Sequence, residues 1–105
     1  MKIKRITDEY ILFDNGSKIT FDHYQDCCEY NYADFKQLED TGIEQEEFKE
    51  PLTFESVDYG FRFGNKGKMY FVPCYSDQNG WYTTEVDIYY NGECVCNTDG
   101  DMIGY

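Results

Sequence analysis

The residues Phe21-Asp22-His23-Tyr24-Gln25-Asp26-Cys27-Cys28-Glu29 hold the only histidine of this 105-residue chain, two adjacent cysteines and three carboxylates. Imidazole and thiolate are zinc ligands, and four such groups close a tetrahedron. His23 and Cys27 are four positions apart and share a face if a helix starts early. Cys94 and Cys96 are two apart in an expected strand, which would point both to one side of a sheet. Joining the two pairs would give a metal site of His23, Cys27, Cys94 and Cys96, with Cys28 as the alternative to Cys27. Cys74 lies outside both pairs. A closed zinc site of this kind would add folding free energy to a small domain. No C-x-x-C finger spacing is present, so buried free cysteines and a histidine bonded to a neighbouring carboxylate remain the alternative.

The same residues are poorly arranged for catalysis. With one histidine, the H-E-x-x-H pattern of zinc proteases is absent. The deaminase pattern fails as well, because Tyr24 and Gln25 follow His23 and no second cysteine pairs with Cys74 at the right spacing. A thiol nucleophile needs a positive neighbourhood, and Cys27 and Cys28 sit among Asp22, Asp26 and Glu29. Gly60, Gly64 and Gly67 precede no helix that would cradle a phosphate. The expectation is a protein that is not an enzyme and has no catalytic residues. A Cys/His thiol or metal enzyme is the least favoured reading.

These residues must be positioned by one small domain, expected over residues 1–105. Eleven tyrosines, eight phenylalanines and one tryptophan leave few aliphatic residues, so rings should build much of the core. Tyrosine carries a polar tip and should lie half exposed. Asn15-Gly16 and Asn91-Gly92 each divide two strand-like runs and read as type I′ hairpin turns. Val86 and Ile88 alternate with Glu85 and Asp87, as in a half-buried strand. Phe54–Phe63 and Lys68–Cys74 read as a further strand pair around residues 64–67, with Pro73 marking its edge or exit. Between the second and third strands, Asp26 and Glu29 resemble a capping box. Tyr32, Phe35 and Leu38 then fall at helical spacing, which predicts a helix over 25–38. Residues 41–49 suggest a second short helix before Pro51. The expected fold class is α+β: a mostly antiparallel sheet of five to six strands with one or two short helices inserted.

Charge bears on partners. Against 21 Asp and Glu stand 9 Lys and Arg, a net charge of −12. That exceeds the magnitude of roughly 2–8 that suits a soluble small domain. Such a surface repels nucleic acid and anionic membrane and attracts basic surfaces, although it also serves solubility alone. Residues 39–58 hold eight acids and one lysine. This is either a solvated face or the partner surface, with Glu39, Asp40, Glu44, Glu46, Glu47 and Glu50 as candidate contacts. Trp81 and Tyr82 are of the types that dominate interface hot spots. No apolar run reaches the roughly 18 residues of a membrane span. The start lacks the apolar stretch of a signal peptide, and the cysteine count is odd; a cytoplasmic protein with reduced thiols is expected.

The stretch from Asp22 to Glu29 resembles a small family of bacteria and their phages that shares a D-H-x-Q-D-C-C-E motif after an N-G hairpin. A later S-N-G-Y-Y-S-like pattern is similar to Ser76-Asp77-Gln78-Asn79-Gly80-Trp81-Tyr82-Thr83. This chain departs from it by inserting Asp77-Gln78 and by carrying Trp81 and Thr83. The resemblance implies an anti-CRISPR-like inhibitor that occupies the basic nucleic-acid channel of a host-defence nuclease such as Cas9 in the host cytoplasm. A zinc-stabilised accessory module without inhibitory role is the alternative.

Overall fold

The computed structural model describes residues 1–22, 29–80 and 82–103. Among the described residues ten strands form, in chain order: β1 (Ile3–Ile6), β2 (Tyr10–Phe13), β3 (Lys18–Asp22), β4 (Tyr30–Ala33), β5 (Thr53–Val57), β6 (Gly60–Asn65), β7 (Lys68–Asp77), β8 (Glu85–Tyr90), β9 (Glu93–Asp99) and β10 (Asp101–Ile103). One sheet runs β1-β2-β3-β8-β9 and is antiparallel throughout. The other runs β10-β7-β6-β5, with β4 also paired to β7. Only β10 and β7 are parallel.

The expected α+β class is therefore corrected: the fold is nearly all β, in two sheets, and the described residues form no α-helix. Of the segment expected as a helix over 25–38, residues 29–38 are described. Glu29 is buried, Tyr30–Ala33 is strand β4, and only Phe35–Leu38 turns, as a 3₁₀ helix. The three-residue interval from Phe35 to Leu38 is a 3₁₀ repeat, which aligns side chains at i and i+3. Both point into the core. In 41–49 the expected second helix is a single 3₁₀ turn at Ile43–Gln45.

The hairpins follow the sequence more closely. Asn91 and Gly92 both have positive φ, 52° and 82°, in the two-residue turn expected between β8 and β9. At Asn15-Gly16 only Gly16 has positive φ, at 90°. The Gly16 amide donates to Phe13 O and the Phe13 amide to Ser17 O, so this loop has three residues, with Gly16 at its left-handed position. The run Phe54–Phe63 is two strands rather than one, broken at Asp58-Tyr59, where Tyr59 takes a φ of 60°. β7 does not end at Pro73. It changes partners there, from β6 at Pro73 to β4 at Cys74.

Apolar alternation sends Ile11, Phe13, Ile19, Val86 and Ile88 inward from the first sheet. They share one cluster with Phe61, Phe63, Val72 and Cys74 of the second. Phe35, Leu38, Ile43 and Phe48, from the connection between β4 and β5, join the same cluster. The Phe48 ring lies 5.6 Å from Phe13 and 5.9 Å from Phe63, bridging the sheets. Among described residues no tyrosine is buried, in line with the polar tip each carries.

One polar group of residues interrupts this apolar interior. Asn31 is fully buried and donates to Thr83 O (2.9 Å) and Glu85 O (3.2 Å). Its side-chain oxygen accepts from the Ser76 hydroxyl. Gln78 donates to Ser76 Oγ and to Thr83 O, and accepts from the Tyr82 amide. The network holds the crossover from β7 in the second sheet to β8 in the first. Asn31→Ala strands these buried partners and is expected to cost about 2–3 kcal/mol. Glu39→Ala, at an exposed position, is expected to change stability by less than about 0.5 kcal/mol. Urea unfolding midpoints of the two variants check this, and equal midpoints would contradict it.

Candidate functional site

The structure separates the sequence-predicted site residues into three groups. His23, Cys27 and Cys28 lie outside the described residues, as does Trp81. Cys94 and Cys96 lie on β9, but not side by side. A bulge sets Cys94 opposite Tyr89 and Cys96 opposite Ile88, leaving Val95 between them without a partner in the register. Residues directly opposite on paired strands share a face, so Cys96 packs inward with buried Ile88 while Cys94 is exposed. The expectation that both thiols face one side of the sheet is thus corrected. Among the described residues no group of three or more His, Cys, Asp or Glu is placed to hold a metal ion.

Cys96 bears on a thiol of the other sheet, Cys74, which lies outside both expected pairs. Burial, with Cys96 nearby, pushes Cys74 up to about 12. Burial, then Cys94 and Asp87, push Cys96 up to about 11. Both are protonated at neutral pH and are weak nucleophiles.

The acidic segment is clamped onto the body of the protein. Glu47 pairs with the N-terminal ammonium (2.7 Å), and the Phe48 amide donates to Met1 O (2.7 Å). Glu46 pairs with Lys68, and Glu50 accepts from the Tyr90 hydroxyl. Burial, and then that bond, push Tyr90 up to about 12. Three of the six candidate contact carboxylates thus have intramolecular partners. Glu39, Asp40 and Glu44 remain exposed around the two 3₁₀ turns. Tyr82 is half-buried and anchored through its amide to Gln78.

A surface that the sequence did not single out lies on the outer side of β4 and β7. Asn31 and Ala33 point inward from β4, so Tyr30 and Tyr32 point out. Their rings stack at 4.9 Å. Tyr32 pairs across the strands with Tyr75, their rings 5.6 Å apart, and Tyr30 pairs with Asp77. Two depressions flank the stack. Asp8, Glu9, Tyr10 and Asp22 line one with Tyr30, and Asp8 and Asp34 line the other with both tyrosines. The available signal was the alternation in Tyr30-Asn31-Tyr32-Ala33, disguised by a polar residue at an inward position.

No protein-family model, curated protein or solved structure matches the chain. No helix among the described residues is long and apolar enough to cross a membrane.

The cysteines give a direct check of these placements. With iodoacetamide at neutral pH, Cys94 is expected to label well before Cys96, and Cys74 only at the rate of unfolding. Peptide mass mapping across a urea series reads this out. Early labelling of Cys74 in native protein would contradict the burial described.

Proposed function

We propose that this protein is a small acidic binding protein, of phage or mobile-element type, that docks on a basic nucleic-acid-handling surface of a host-defence protein. A CRISPR nuclease such as Cas9, in the host cytoplasm, is the partner class implied by the resemblance at Asp22–Glu29. The observation that carries this reading is the excess of surface carboxylate over internal cations. Between described residues three ion pairs form, one of them using the N-terminal ammonium. The chain has 21 acidic side chains. Glu39, Asp40 and Glu44 are exposed in one stretch and carry charge outward.

Blocking of guide or DNA loading would then be steric and electrostatic, with the protein occupying a channel shaped for a phosphate backbone. Binding rather than catalysis fits the high, inert thiols Cys74 and Cys96. It also leaves the acidic surface with a task beyond solubility.

The test is a salt series with purified Cas9. Between about 0.1 and about 1 M salt the Debye length falls from about 10 to about 3 Å. Affinity is expected to fall by about tenfold or more over that range. Inhibition of guide loading should weaken in parallel. No binding at low salt would remove this nuclease as the partner, and affinity flat across the series would remove the electrostatic mechanism.

A further inference from the structure

We propose that the outer face of β4 and β7, centred on Tyr30, Tyr32 and Tyr75, is the docking surface, and that its occupant is an arginine-bearing segment of the basic partner. This rests on the binding reading above and assigns it a location other than the acidic segment.

Three observations converge there. The first is exposed aromatic area: Tyr30 is 48% and Phe71 45% exposed, among the largest such values for apolar or aromatic side chains of the described residues. Strand alternation puts Met69, Phe71, Pro73 and Tyr75 on the outer side of β7, opposite buried Val72, Cys74 and Ser76.

The second is polarity along that face. At the β5–β6 end, Arg62 lies opposite Phe71 and is already paired with Glu55. At the β4 end, Asp34 and Asp77 stand close enough to Tyr32 to raise its hydroxyl pKa, after burial itself, and Asp8 lines both depressions beside Tyr30. No ion pair between described residues uses Asp8, Asp34 or Asp77.

The third is a small-scale precedent in the same molecule. The Lys18 ammonium sits 4.7 Å from the centroid of the Tyr10 ring, and Tyr10 lines the adjoining depression. Rings ringed by carboxylates favour a planar cation that stacks and bonds at once, which describes guanidinium better than ammonium. A second copy of this chain is a poor occupant, because each copy carries −12.

The probe is a fluorescently labelled oligo-arginine peptide, with an oligo-lysine peptide of equal length as comparison, titrated against the whole protein by anisotropy. Oligo-arginine is expected to bind more tightly than oligo-lysine. The double variant Tyr30→Ser with Tyr32→Ser should weaken oligo-arginine binding by about tenfold. Tyr30→Phe with Tyr32→Phe keeps the rings and should keep the binding. Asp34→Asn with Asp77→Asn supplies a second route if the serine variant unfolds, and should also weaken binding. The variant Glu39→Gln, Asp40→Asn, Glu44→Gln removes three charges elsewhere and should have the smaller effect.

Unchanged binding in the folded serine or asparagine variants, with loss in the Glu39/Asp40/Glu44 variant, overturns this location while leaving the basic-partner reading intact. Failure of the unaltered protein to bind either peptide at low salt counts against both. Concentration-dependent self-association abolished by the serine variant would make the face a contact between copies and overturn the proposal.

Discussion

Asn31 sits at zero exposure between the sheets, and much of the chain's organisation depends on its amide. A buried amide without partners is costly, so its position is tolerable only where Thr83 O, Glu85 O and the Ser76 hydroxyl are all in reach. Satisfying them aligns β4 against the end of β7 and fixes where the chain leaves the second sheet for the first. Gln78 extends the same network to the Tyr82 amide. It acts as a hub of the crossover.

With Asn31 inward, the outward direction of Tyr30 and Tyr32 is set by the two-residue period of a strand. The tyrosine stack over β4 is thus a consequence of how the interior is satisfied. Its electrostatic setting comes from separate parts of the chain: Asp8 from the turn before β2, Asp34 from the turn after β4, and Asp77 from the end of β7. The acidic segment after Leu38 behaves differently. Its apolar members Ile43 and Phe48 are core residues, and Glu46, Glu47 and Glu50 secure it to Lys68, the N-terminus and Tyr90. A run of charge in sequence thus divides into anchors and exposed carboxylates, and only packing tells them apart.

The cysteines show the same dependence on tertiary detail. Cys94 and Cys96 have the spacing of two neighbours on one face, and a single extra residue in β9 separates them. Cys96 in turn bears on a thiol of β7, Cys74, some twenty residues earlier in the chain. Two-residue spacing is a reliable guide to a shared face only in a strand without a bulge.

Local features were legible in the sequence. The Asn91-Gly92 turn, the alternation of Val86 and Ile88, the half-exposed tyrosines and the sign and size of the net charge follow from residue type and near neighbours. The three-residue interval of Phe35 and Leu38 was visible too, but it fits 3₁₀ and α geometry alike. Tertiary structure alone decided that β4 is a strand, that β7 pairs first with β6 and then with β4 and β10, and that the ten strands of the described residues divide into two sheets. The reason is physical. A turn is set by the φ preferences of two or three adjacent residues, whereas an inward asparagine or a partner change at Pro73 is stabilised by groups far away in the chain. Until those groups are in place, Tyr30, Tyr32, Tyr75 and their carboxylates are scattered residues. The fold is what makes them one surface.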